Sequence, residues 1–366
     1  MPITRREFVK GALDAAGGGP FLTACAAAEG PAAGQGNWEP AYVKLERKGE
    51  FAERVEMARS LYEKCACCPR GCEVNRLKGE RGFCRASAKA TVHSHNPHFG
   101  EELPLVGRRG SGTIFFSHCN LRCVFCQNWP IAHEGRGREV DDERLAGMML
   151  DVQRMGCHNV NVVTPTHVMP NILAATRLAM QKGLRIPLCW NTSGYESPAI
   201  VALLDGIVDI YLPDMKCMDA KQARRYMFHL PPDLKEDPYD APDYPAMAKA
   251  SILEMNRQVG VLQTDGRGVA LSGVMIRHLV MPNRVAGTRE FVQWVAENLP
   301  KDTYLNIMSQ YRVEHRAFEH PPIARAITPQ EFLEAMDWAE EAGLTNLDSR
   351  SLSQRDVFRR RARWGG

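Results

Sequence analysis

The sequence predicts an α/β fold, a parallel sheet of six strands covered by helices. Three observations carry this. Six short segments are apolar and rich in β-branched or aromatic residues, as strands buried on both faces must be. Helical stretches alternate with them in the α/β manner. Polar side chains recur at the C-terminal end of every strand while the strand bodies stay apolar, and in parallel barrels those ends form the reactive face. With 366 residues, 44% of them hydrophobic, the chain is long enough to bury a full core.

Strand one runs from Gly112 to Ser117 and leads into Cys119-Asn120-Leu121-Arg122-Cys123-Val124-Phe125-Cys126. Asp141 to Met155 reads as a helix with two aspartates at its positive end. Asn159 to Val163 is strand two, followed by a helix from Pro170 to Lys182. Ile186 to Trp190, Val208 to Leu212, Val274 to Val280 and Tyr304 to Met308 are strands three to six. Helices lie around Gly287–Glu297 and Thr328–Ala342. The segment His229 to Pro245, dense in proline and aspartate, reads as a loop, either a surface insertion or a cover over the active face. The tail from Arg350 to Trp364 holds six arginines and reads as a solvated helix or a disordered segment.

Cysteine usage is the strongest chemical signal. Seven of the twelve cysteines lie in two tight clusters, which favours metal over disulfides. Cys119, Cys123 and Cys126 can reach one cubane iron–sulfur cluster from a single loop and leave its fourth iron open to substrate. Upstream, Cys65, Cys68, Cys72 and Cys84 form a second set, with Cys67 left over and pointing away. Four thiolates suit a second iron–sulfur cluster or a structural zinc, and the spacing leaves both open. Glycine and proline beside them permit the tight turns that wrap backbone around a metal.

Other features bound the function. The formal charge is +3, too near neutral for a nucleic-acid surface, and no apolar run approaches the roughly 18 residues of a membrane span. Thr4-Arg5-Arg6-Glu7-Phe8-Val9-Lys10 resembles a twin-arginine export signal, and Leu22-Thr23-Ala24-Cys25 a lipoprotein cleavage box. The segment between them is broken by Asp14 and Gly17-Gly18-Gly19-Pro20, so the expectation is a cytoplasmic protein, with export the alternative. The expected organisation is a leader and linker over 1–40, a cysteine-rich metal-binding module over 41–105, the barrel over 106–347 and a basic tail over 348–366.

The three-cysteine spacing, with Phe125 before the last cysteine, resembles the signature of the radical S-adenosylmethionine (SAM) superfamily. The wider run from Ser111 to Asn128 is similar to a branch related to pyruvate formate-lyase-activating enzymes, and the likeness runs from about Tyr62 to Leu347. The resemblance implies an open partial (βα)6 barrel, a 4Fe–4S cluster on Cys119, Cys123 and Cys126, and SAM as cofactor. It further implies that backbone at Phe125 reads the adenine, and that Asn191-Thr192-Ser193-Gly194 and Asp214-Met215-Lys216 lie near the SAM carboxylate and ribose. Most members carry Gly-Gly-Glu after strand two. Here Thr164-Pro165-Thr166-His167 stands there, so Thr164 and Thr166 are the candidate contacts to the SAM amine and the glutamate is missing. His167 is a candidate for substrate contact or proton transfer. The implied activity is reductive cleavage of SAM to a 5′-deoxyadenosyl radical that takes hydrogen from a substrate, with activation of a glycyl-radical protein as the narrower reading. The implied partners are an electron donor such as flavodoxin or ferredoxin and a protein substrate. The reading from another class is a non-catalytic iron–sulfur electron-transfer protein, for which an open iron has no use.

Overall fold

The computed structural model describes residues 38–239 and 241–364. The export and lipoprotein-like signals, and the linker as far as residue 37, lie outside the described residues.

The strands are β1 (Ala90–His98), β2 (Ser111–Phe116), β3 (Arg138–Val140), β4 (Val160–Val163), β5 (Leu188–Thr192), β6 (Ile210–Pro213), β7 (Gln263–Thr264), β8 (Ala270–Leu279) and β9 (Tyr304–Met308). They form one sheet in the order β3-β1-β2-β4-β5-β6-β8-β7, with β9 also paired to β8. The pairs β2–β4, β4–β5, β5–β6, β6–β8 and β8–β9 are all parallel. These six strands are the six expected from sequence. The set stays open, because the free edge of β2 is taken by β1, antiparallel, and β1 in turn carries β3. The result is an α/β open partial barrel with a cysteine-rich N-terminal region attached.

Side-chain alternation divides the core in two. Ile114, Phe116, Val160, Val162, Leu188, Trp190, Tyr211, Val274, Ile276, Leu305 and Ile307 face the helical layer in one large cluster. Cys189, Ile210, Leu212, Met275 and Tyr304, at the alternate positions, face inward and pack on Leu105. Leu105 belongs to a short helix, Leu103–Val106, which plugs the barrel floor; its carbonyl accepts from Asn159 Nδ2 at 2.9 Å. Gly112 sits where a Cβ would come 2.5 Å from the Asn159 carbonyl and 2.8 Å from Val152, so only glycine lets the helix Asp142–Arg154 close on β2.

Several elements go beyond the sequence reading. β1 lies within the stretch expected to belong to the cysteine-rich module, yet it pairs with β2 from Val92↔Phe116 to His98↔Ser111. Helices Ala41–Lys48 and Phe51–Ser60 precede it. Among its described residues the loop before Tyr244 has no helix or strand but is fastened: Asp233 pairs with Arg85 at 2.6 Å and Asp237 with Arg70 at 2.7 Å. The basic tail is a helix, Ser349–Trp364, whose Phe358 packs edge-on to Phe332 at 5.8 Å between ring centroids.

Candidate functional site

The loop after β2 carries Cys119, Cys123 and Cys126, all free thiols. His118 and Arg122, each preceding a cysteine, adopt φ of 73° and 89°, a region that side chains other than glycine rarely enter. The loop is held from three sides. Val124 N donates to Tyr226 O at 2.8 Å, Arg316 N donates to Val124 O at 2.8 Å, and Asn120 Nδ2 donates to Tyr195 O at 2.8 Å. Phe125 is buried and its ring lies 6.3 Å from that of Tyr311. Burial pushes the Cys126 thiol up to about 12, and the neighbouring Cys119 adds to the shift. Cys123 is raised by burial too, opposed by Lys216 and reinforced by Cys126 and Cys119. The three thiols therefore feel one another's charge, with a lysine ammonium beside them. Three free thiols on one short loop are the donor type that an iron–sulfur cluster takes.

Lys216 comes from the end of β6 and is paired with Asp214. Asp214 also accepts from Arg277 Nε at 2.8 Å, and Arg277 reaches Asn191 Oδ1 at 2.6 Å and Glu101 at 3.2 Å. Burial works to raise the Asp214 carboxyl, but Arg277 and Lys216 outweigh it and hold it below the usual range. Glu101 is the reverse case: burial, only partly offset by Arg277, lifts it to about 7. Glu102 stands beside it, bonded to Asn306 Nδ2 at 2.8 Å, with Oε2 buried, without a hydrogen bond and 4.0 Å from Arg277 Nη1. A file of charges thus runs from Cys123 through Lys216, Asp214 and Arg277 to the floor. Sequence placed Asp214 and Lys216 at a strand end; the two glutamates were missed, because nothing local marks a floor loop that folds up into the lumen.

Other predicted residues divide between the two faces. Thr164 takes φ 58°, and its N–H donates to Asn191 O at 2.9 Å. Gly194 has φ 78° and passes so close to the Asp214 carbonyl that a Cβ would lie 2.3 Å from it. Thr166 and Thr192, by contrast, turn toward Glu196. Its Oε1 accepts from Thr192 Oγ1 at 2.6 Å, Thr166 Oγ1 at 2.9 Å and Trp190 Nε1 at 3.0 Å, while Oε2 is buried without a partner. Burial lifts the Glu196 carboxyl to about 7 against those three bonds. A glutamate does serve the strand-two end, then, but from the loop after β5 and on the helix-facing side. His167 is also away from the lumen. Its Nε2 lies 2.7 Å from Ser117 O and burial pulls its pKa down to about 3, so the ring is neutral and structural here.

The second cysteine set lies against the first. Cys65, Cys67, Cys68, Cys72 and Cys84 line one cavity together with Arg70, Arg76, Gly82, Asn120 and His167. The expectation that Cys67 points away is corrected. It turns inward because its thiol is hydrogen-bonded to Cys65 and both sulfurs lie 4.0 Å from Arg76 Nη1. Among the described residues no group of three or more His, Cys, Asp or Glu is placed to hold a metal ion.

The model of the Radical SAM superfamily matches residues 113–230, which hold the cysteine loop and β4 to β6. The uncharacterized protein MJ0674 of Methanocaldococcus jannaschii is 30% identical over 300 residues, covering 80% of this chain and 78% of that one. The chain belongs to the radical SAM superfamily. Members of the superfamily use a 4Fe–4S cluster and SAM, and need an electron donor. Among solved structures, methylornithine synthase (PylB) overlaps 82% of this radical SAM chain and 77% of its own, with a TM-score of 0.38 and 10% identity. Among the described residues no helix is long and apolar enough to cross a membrane.

Proposed function

We propose that the chain is a radical SAM enzyme whose catalytic cluster sits on Cys119, Cys123 and Cys126 and whose SAM lies across the mouth of the partial barrel. The observation that carries this is the Lys216–Asp214 pair at the end of β6, partly buried beside Cys123 and backed by Arg277. When bound, the cluster supplies the single electron that splits SAM into methionine and a 5′-deoxyadenosyl radical. Lys216 holds the SAM carboxylate by a charge-assisted bond. Asn191 and Asp214, fixed by Arg277, present acceptors to the ribose and amine. Thr164 and the backbone at Phe125 close the amine and adenine ends. Thr166 and Thr192 act through Glu196, pinning the ends of β4 and β5 so that the mouth keeps its shape. The cysteine-rich stretch over 41–105, the barrel over 106–347 and the basic tail over 348–366 are its working parts.

The radical takes hydrogen from a substrate, and a glycyl-radical protein is the narrower reading, supported by the likeness of the cysteine loop to activating enzymes. A flavodoxin or ferredoxin is the fitting donor. Consumption of SAM and low-potential electrons supports a cytoplasmic site of action. Anaerobic reconstitution with iron and sulfide, then dithionite and SAM, tests the reading. Methionine and 5′-deoxyadenosine should appear in equal amounts. A folded, cluster-loaded protein that releases neither would be an electron carrier, and the proposal would fail.

A further inference from the structure

The cavity of the second cysteine set has the build of a metal-cluster pocket, for three independent reasons. The first is backbone. Among the described residues eight non-glycine positions have positive φ, and four of them adjoin a cysteine: Glu73, Arg85, His118 and Arg122. Strain of this kind persists only where surroundings enforce it, and it marks both cysteine sets alike. Gly82 belongs to the same construction, since a Cβ there would stand 2.8 Å from Cys72 Sγ.

The second is unmet polarity. Arg70, with a side chain 1% exposed, has Nη2 buried and unpartnered. His167 is equally buried, and its Nε2–H is spent on the Ser117 carbonyl, so its unpartnered Nδ1 is a bare lone pair. Both residues line the cavity, as does Arg76, whose guanidinium lies 4.0 Å from two sulfurs. Arg70 is neutralised by Asp237 and keeps only its Nη2 to satisfy, whereas the buried Arg76 guanidinium beside the thiols is balanced once the cavity holds an anionic, thiolate-bound centre.

The third is arrangement. All five thiols, from Cys65 to Cys84, line one enclosed cavity, a soft donor set of the kind an iron–sulfur cluster takes. Asn120, the residue after Cys119, forms part of the wall, and Cys84 lies within electrostatic reach of Cys119.

We infer that this cavity holds a second, redox-active 4Fe–4S cluster, ligated by Cys65, Cys68, Cys72 and Cys84 and placed to pass electrons to the cluster on the Cys119–Cys126 loop. Cys67 and Arg76 donate hydrogen bonds to the Cys65 sulfur, which favours the reduced, more negative state. A low-potential iron–sulfur or flavin protein supplies one electron here, and the same electron leaves for the neighbouring cluster, so no bond is made or broken. The electron's destination rests on the radical SAM reading; the site itself does not.

The test uses the full chain carrying Cys119→Ala, Cys123→Ala and Cys126→Ala, produced and purified without oxygen. About four irons and four sulfides per chain should remain, with a paramagnetic signal after dithionite. Zinc without sulfide, or a folded variant holding neither metal, overturns the inference. Should the triple variant not fold, the intact chain decides: about eight irons are expected, and about four overturn it. Arg76→Gln in the intact chain should keep the iron and make the second signal harder to reduce; an unchanged midpoint would refute the role given to Arg76. None of these readings depends on SAM cleavage, so failure of the proposed activity leaves them interpretable.

Discussion

Arg70 Nε donates to the backbone carbonyl of Asn120 at 2.8 Å, joining two cysteine loops that are 50 residues apart in sequence. The same guanidinium lies 3.3 Å from the centre of the Phe83 ring and pairs with Asp237. Arg70→Ala would remove the stacking and leave the carbonyl and the carboxylate without their donor. The expected loss is about 2–4 kcal/mol, read as a lower urea midpoint under anaerobic conditions, with Arg70→Lys recovering only part because lysine cannot donate along two directions.

Lys216 stands between Asp214 and Cys123. Lys216→Gln should weaken SAM binding about tenfold, the worth of one charge-assisted hydrogen bond, and leave the iron content unchanged. Equilibrium binding of SAM to the reconstituted protein checks this. Undiminished affinity would remove Lys216 from the SAM site.

Glu196 gives a pH dependence with a definite sign. Its carboxyl titrates at about 7 in the folded chain against an ordinary value of 4.5, so the folded state holds the proton more tightly. The stability this confers is complete below pH 4.5 and is lost as pH rises through 7. Glu196→Gln keeps an acceptor for Thr166, Thr192 and Trp190 without the charge. It should flatten the fall between pH 4.5 and 7 and leave the variant about 3 kcal/mol better off above pH 7 than the parent. Equal slopes in the two proteins would show that Glu196 titrates in the folded chain as it does in the unfolded one, with no upward shift.

Thr164 adopts a conformation suited to glycine. Thr164→Gly should stabilise the chain by about 1 kcal/mol, the relief of a left-handed β-branched residue less the entropy of glycine. If the threonine hydroxyl touches SAM, KM for SAM rises in the same variant. Thermal unfolding and KM, measured together, separate the two effects.

The six parallel strands and the cysteine loop were legible in the sequence, because strands buried on both faces become apolar runs and three thiols within eight residues have few other uses. β1 was not. Ala-Thr-Val-His-Ser-His-Asn-Pro-His is polar and contains a proline, and only pairing with β2 makes it a strand. Glu196 escaped notice because one of its three donors, Thr166, comes from the turn after β4, 30 residues away, and meets it only after folding, while the other two lie on β5; a search for an acidic residue within a few positions of each strand end would have found it. Arg70 and Arg76 sit among cysteines and prolines that gave no hint of burial, since arginine is buried only where partners far away in sequence satisfy it.

The strap formed by residues 229–239 has a consequence for how the protein is made. Arg70 meets its carboxylate partner 167 residues later in the chain, at Asp237, and Tyr239 from the same strap is hydrogen-bonded to Cys72. A ribosome delivers all five thiols of the N-terminal set long before it delivers the piece that closes over them. During that interval the thiols lack the contacts that two aspartates and a tyrosine later bring to the loops that bear them. On the inference that this cavity takes a cluster, filling is expected to come before closing.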